Sequence, residues 1–135
     1  MSAPTAIVRL PSTPVAPAEE YFVAPEKLID GNPKQTVWIE YQDATGRFCA
    51  GLWSSEVGAW RIRYTEEEYC RILHGRSVIT DEDGHFVTVC AGDEFTIPAG
   101  FVGTWRVLEP TLKRFVIHED GQAQPPPIGD FPTEP

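Results

Sequence analysis

Basic side chains are scarce in this chain: 11 Lys and Arg stand against 20 Asp and Glu, a net charge of −9 over 135 residues. A phosphate backbone or an anionic membrane needs a concentrated basic patch. No run in the sequence supplies one, so nucleic acid and membrane surfaces are excluded as partners. Cysteine is sparse and odd in number. Cys49, Cys70 and Cys90 show no C-x-x-C spacing, which argues against a disulfide framework and a structural zinc site and leaves buried free thiols in a reducing compartment. No apolar run approaches membrane-spanning length, and no charged flank followed by an apolar stretch opens the chain, so a cytoplasmic protein is expected. The sequence also lacks a G-x-S-x-G nucleophile elbow and a phosphate-cradling glycine loop.

What is present is aromatic and strand-like. Four Trp, seven Phe and four Tyr within a 41% apolar composition suffice for a packed interior, and the length bounds one domain. Pro4, Pro11, Pro14, Pro17, Pro25 and Pro33 forbid a long helix over residues 1–35 and predict an extended arm. Pro125–Pro127, Pro132 and Pro135 make 121–135 a second Pro-rich extension, leaving 36–120 for the barrel. Thr36–Tyr41, a turn at Asp43–Gly46 and Arg47–Trp53 read as a hairpin. The second run is apolar on both faces, so its outer side is expected to be covered by the arm or a second subunit.

In Ala59–Tyr64, Trp60, Ile62 and Tyr64 share one face and Arg61 and Arg63 the other. An acidic loop, Thr65–Glu67, is expected in solvent. Glu68, Cys70 and Ile72 then continue the inward row up to a turn at Gly75. Ser77–Thr80 and Phe86–Cys90 flank an acidic turn, Asp81–Gly84, in which Gly84 takes positive φ. Gly103, Trp105 and Val107 share a face, Pro110 breaks that run, and Lys113, Phe115 and Ile117 share the next. Lys113 is therefore expected to point inward. His74, His85 and His118 are read as surface residues at strand ends. Short strands at regular spacing predict an all-β barrel or sandwich.

Tyr64–Gly75 and Gly92–Trp105 resemble the two signature segments of the cupins, G-x5-H-x-H-x3-E-x6-G and G-x5-P-x-G-x2-H-x3-N. Glu68, Gly75, Gly92, Pro98 and Gly100 keep that skeleton. Ile62, Tyr64 and Gly103 stand where its three histidines would be. From Gly58 to Ile117 the order of Tyr64, Glu68, Tyr69-Cys70, Thr80–Gly84, Gly92-Asp93, Ile97–Phe101, Gly103–Trp105, Val107–Pro110 and Lys113 is similar to the small single-domain cupins grouped with the cupin domain of (S)-ureidoglycine aminohydrolase. That resemblance implies an all-β double-stranded β-helix, the jelly roll of a cupin barrel, as a homodimer with any ligand in the barrel mouth. Arg61, Arg63 and Arg71 share the outward side with apolar Tyr69 and Leu73, which also favours a subunit contact.

A catalytic first-row metal needs about three convergent ligands, and only Glu68 survives from the cupin set. No cofactor is therefore expected; in the alternative, a divalent transition metal would have Glu68 as its ligand, with Glu66, Glu67 or Cys70 as weaker candidates. An inward carboxylate needs a partner, because an unpaired buried charge costs several kcal/mol. Lys113 offers one. The sequence thus points to Glu68 and Lys113 as a pair, with Tyr64, Trp60 and Trp105 lining a small polar-aromatic pocket that binds a small molecule. Glu68, Tyr64 and Lys113 are the candidates if the pocket does acid–base chemistry. Two other functions stay open: a metal-dependent enzyme of ureide or nitrogen metabolism, and a non-catalytic regulatory or accessory dimerisation module.

Overall fold

Turn residues and two-residue alternation set the strand boundaries. A computed structural model describes residues 5–119, and the C-terminal extension expected from residue 121 lies outside them. The strands are β1 (Ala18–Phe22), β2 (Leu28–Asp30), β3 (Lys34–Gln42), β4 (Phe48–Ser55), β5 (Gly58–Arg63), β6 (Glu67–Asp81), β7 (Phe86–Cys90), β8 (Glu94–Ile97) and β9 (Val102–His118). One 3-10 turn, Pro25–Lys27, lies between β1 and β2. No helix among the described residues is long and apolar enough to cross a membrane. The expected hairpins are present: Gly46 (φ 76°) closes the β3–β4 turn and Gly84 (φ 88°) the β6–β7 turn, a backbone region where lack of a Cβ is an advantage.

The strands run β1-β3-β4-β9-β5-β2, with β6 along β9 and with β7 and β8 each attached to β6. The first half of β9 pairs with β5, the second half with β4, and β6 accompanies both halves. The sheet is thereby folded into two facing layers that share β6 and β9. Trp53 from one layer packs on Trp60 and Trp105 from the other, with ring centroids 6.1 and 5.5 Å apart. All three indoles are fully buried, a gross stabilisation on the order of 10 kcal/mol, large enough for the interior to carry costly polar groups.

Gly75 and Pro110 do not end strands, contrary to the expectation from sequence. Both lie inside long strands, at the corner where β6–β9 register shifts between Ile72 and Ser77. Gly75 has φ 93°, and a Cβ there would lie 2.1 Å from the Pro110 carbonyl oxygen. The glycine lets the two backbones touch as they turn, and the missing N–H of proline is tolerated where the ladder is already irregular. His74 belongs to this corner, within β6 and exposed, instead of at a strand end.

The N-terminal region is extended and partly woven into the sheet through β1, which pairs with β3 from Ala18↔Trp38 to Phe22↔Lys34. Farther upstream, Arg114 ties the arm to the outer face of the sheet. Its guanidinium donates to the Pro11 carbonyl, to Gly51 O at 2.9 Å and to Glu40 Oε1 at 2.5 Å. The arm covers β4 incompletely: a cavity of about 380 Å³ remains between Ala6, Ile7, Val8 and Leu10 on one side and Tyr41, Phe48, Ala50 and Val116 on the other.

Candidate functional site

The alternation begun in β5 continues across the loop into β6. Trp60, Ile62, Tyr64, Glu66, Glu68, Cys70 and Ile72 are all buried. The strand-like course survives the break because Tyr64 N–H donates to Phe101 O (2.9 Å) and Gly100 N–H to Tyr64 O (2.7 Å). The Thr65–Glu67 loop is consequently not uniformly solvated. Glu67 is exposed, but Glu66 is only 2% exposed, and its Oε1 accepts from Thr65 N–H and Oγ1–H, each at 3.1 Å.

Lys113 reaches the same interior from β9. Its Nζ is 3.1 Å from Glu68 Oε2, and both side chains are 0% exposed. The ammonium also lies 4.5 Å from the Trp105 ring centroid and 4.7 Å from that of Trp53, contacts that favour a desolvated cation. The ion pair is close but lacks hydrogen-bond alignment. Lys113 Nζ, both Glu68 oxygens, Tyr64 Oη and the Nε1 atoms of Trp60 and Trp105 are six buried polar atoms that make no well-aligned hydrogen bond, although Glu68 interacts with both Tyr64 and Lys113. Leaving a buried polar group unsatisfied costs about 1–3 kcal/mol, a cost that water or a bound molecule beside the two indoles would offset. Trp53 Nε1, in contrast, donates to Tyr21 Oη (3.0 Å) and Gln35 Oε1 (3.4 Å).

Proton positions follow from this environment. Burial works against the Lys113 charge, but Cys70 and Glu68 beside it prevail and raise its pKa. Burial, reinforced by Glu68, pushes the Tyr64 phenol and the Cys70 thiol well above their ordinary values, so both stay protonated. Burial and then Glu68 raise Glu66 to about 7.

A divalent metal of the kind the cupin resemblance implies does not fit this donor set. Ile62 has no ligand atom, Tyr64 is held as a phenol and Cys70 as a thiol, and Lys113 already faces Glu68. Position 103 has neither a side chain nor room for one, because a Cβ on Gly103 would lie 2.0 Å from the Thr80 carbonyl oxygen. His74, His85 and His118 are exposed. Asp81, Asp83 and His85 have ligand atoms within 4.8 Å of one another, but Asp81 Oδ1 is occupied by the N–H groups of Asp83 (2.8 Å) and His85 (3.0 Å), as the turn itself requires.

The structure therefore brings Tyr64, Glu68, Trp60, Trp105 and Lys113 into one buried layer. The ring faces on Lys113 belong to Trp53 and Trp105, so Trp53 takes the place expected for Trp60. Trp53 is the direct cross-strand partner of Lys113. A cavity of about 260 Å³ opens beside this layer, lined by Ile79, Asp81, His85–Val87, Phe95–Pro98 and Phe101. Phe95 joins the two regions by packing on Trp105 at 6.3 Å.

Two layers sharing long bent strands, with the inward site between them, define a cupin jelly roll. The chain belongs to the EutQ-like cupin domain family, whose model matches residues 42–115. No curated protein matches it. Among solved structures, a protein of unknown function of the DUF861 family from Pseudomonas syringae pv. tomato is 19% identical with a TM-score of 0.73, over 80% of this chain and 46% of that one. The chain thus spans about half the length of that relative. A putative ethanolamine utilization protein Q from Salmonella typhimurium is 17% identical, TM-score 0.58, over 64% of this chain and 71% of that one. The EutQ protein of Clostridium difficile is 14% identical, TM-score 0.58, over 72% and 79%. At these identities the likeness carries the fold alone.

Proposed function

We propose that the barrel interior binds a small polar compound, with the Lys113 ammonium taking the electrostatic place of a coordinated metal beside Glu68. The observation that supports this reading is the Lys113–Glu68 ion pair at 0% exposure together with three further buried polar atoms, Tyr64 Oη and the Nε1 atoms of Trp60 and Trp105, that make no well-aligned hydrogen bond. The free atoms include donors on Lys113, Tyr64, Trp60 and Trp105 and acceptors on Glu68. A ligand offering both kinds of atom satisfies both sets, and a ureido group does so. The sequence likeness to the ureidoglycine aminohydrolase group supports ureides as the first class to try. Binding is better supported than proton abstraction, because Lys113 is charged and Tyr64 and Cys70 are protonated. Glu66, near 7, is the neighbour suited to proton exchange at neutral pH.

Thermal-shift measurements with ureides, amino acids and small carboxylates test the reading. Stabilising ligands are expected, and their effect should vanish in Glu68→Gln and Lys113→Met. If nothing binds and both variants only lose stability, the barrel is an accessory module. Metal analysis of protein purified without chelator tests the metal-dependent alternative, which requires near-stoichiometric manganese, iron, nickel or zinc.

The same reading keeps the chain a homodimer. We propose the subunit contact on the arm-covered face, where Ile7, Val8, Leu10 and Phe48 stay exposed and residues 5–18 contain no acidic side chain, in preference to the side of Arg61, Arg63, Arg71, Tyr69 and Leu73. A two-fold contact buries such an apolar patch, in which Arg9 is the one charged side chain of residues 5–18, against itself. Sedimentation should show a dimer that Phe48→Asp converts to monomer; an unchanged dimer would move the contact elsewhere.

A further inference from the structure

We propose that the cavity between β7 and β8 is a second binding site, which takes an organic cation: a substituted ammonium with its apolar groups among Phe86, Phe95 and Phe101 and its charge facing Asp81. The site is separate from the Lys113–Glu68 interior and does not require that interior to bind anything.

The apolar part of the ligand follows from the walls. β7 and β8 each pair with β6, and the cavity of about 260 Å³ beside them is lined by the three phenylalanines together with Ile79, Val87 and Ile97. Phe86 and Val87 are 67% and 55% exposed, so a ligand reaches the site from solvent without crossing the core. The volume falls just below the ~300 Å³ at which ordinary ligand pockets begin. One ring or a cluster of methyl groups fits, and a nucleotide does not.

The sign of the charge follows from the rim. Among the described residues no Lys or Arg lines the cavity; Asp81 and His85 do, with Glu82 and Asp83 in the turn beside them. Register puts Asp81 on the inner side, because it pairs with Gly103, which in turn pairs with the buried Ile62. The Phe101 ring lies over the same glycine, where a Cβ would come within 2.9 Å of it. A carboxylate and an aromatic ring thus flank one point of the mouth, and both attract a cation.

The oxygens of Asp81 divide the work. Oδ1 accepts from the N–H groups of Asp83 and His85. Desolvation opposes the carboxylate charge, but those N–H groups outweigh it and hold the pKa below its ordinary value. Oδ2 lies 3.5 Å from His85 Nδ1, and an imidazole cancels its charge only when protonated. A metal would need about three free ligand atoms here, whereas an ammonium needs one oxygen and the ring faces. An anion would meet the carboxylates of Asp81, Glu82 and Asp83 and is disfavoured.

Calorimetry on the full chain near neutral pH with benzylammonium, benzyl alcohol, methylammonium and benzoate separates these elements. Benzylammonium is expected to bind about tenfold more tightly than benzyl alcohol, which lacks the charge, and about tenfold or more tightly than methylammonium, which lacks the ring. Benzoate should bind most weakly. Asp81→Asn keeps an oxygen for the two turn N–H groups; it should bring benzylammonium down to the level of benzyl alcohol and leave the alcohol unchanged, which also shows the cavity intact. Phe86→Ala, at an exposed position compatible with folding, should weaken both ring compounds several-fold. In the parent, added salt should weaken benzylammonium and not the alcohol. Equal affinity for benzylammonium and benzyl alcohol, or indifference to both Asp81→Asn and salt, overturns the cation. Methylammonium binding as tightly as benzylammonium, or no effect of Phe86→Ala, overturns the cavity as the seat of the apolar groups. Binding of none of the four removes the site.

Discussion

Replacing Glu66 by Gln should change how stability depends on pH in a way fixed by the burial of that one carboxyl. Its pKa is lifted from an ordinary 4.5 to about 7, chiefly by burial and next by Glu68. Between these values the folded chain holds a proton that the unfolded chain has released. Stability therefore declines as pH rises through this window, is spared the penalty below about 4.5, and carries it in full above about 7. At about 1.4 kcal/mol per pH unit the full loss is about 3 kcal/mol. Gln imitates the protonated acid and keeps an oxygen to accept from Thr65. The variant should thus match the parent near pH 5 and exceed it by about 3 kcal/mol at pH 8.5, or roughly 10 °C in Tm for a domain of this size. Glu119 is also raised by its burial and itself helps to raise Glu66, so a small part of the difference passes through that neighbour. Urea titrations at intervals from pH 5 to 9 give the comparison. Parallel pH curves for parent and variant would refute the assignment of a buried, proton-holding carboxyl at position 66.

Lys113→Met alone should cost about 3–5 kcal/mol, because it strands the Glu68 carboxylate, whereas adding Glu68→Gln should recover a large part of that loss in a double-mutant cycle. Gly75→Ala and Gly92→Ala both place a Cβ at positive φ, but only the former also meets backbone, at the Pro110 oxygen, while Gly92 has open space. Denaturant melts should show about 1–2 kcal/mol for Gly92→Ala and a distinctly larger loss for Gly75→Ala. Arg114→Ala removes the tie to Pro11 and Glu40, so limited proteolysis should cut the arm much faster in the variant; equal cutting rates would mean that the tie does not hold the arm.

The inward placement of Lys113 was legible because Lys113, Phe115 and Ile117 alternate in a strand whose apolar members must face the core. Glu68 was legible from the inward row that runs through Tyr64, Cys70 and Ile72 and from its place in the cupin skeleton. Glu66 was not, since three consecutive glutamates resemble a solvated loop unless strand-like backbone is known to continue through Tyr64 and Gly100. Trp53 was hidden by a run apolar on both faces, where alternation cannot tell the core side from the side under the arm. Gly75 and Pro110 looked like two independent stops. Their effect depends on each other, and only spatial juxtaposition shows that they form one corner.

That corner also constrains how the molecule can open. β6 and β9 cross it side by side and belong to both layers, so one layer cannot swing away while the other keeps its ladder. Any movement that admits a guest must be borne by the staves fastened along one edge, β7 and β8. Slow amide exchange along the two shared strands, with faster exchange along those staves, would be the signature of a vessel that loosens at its slats while its frame stays shut.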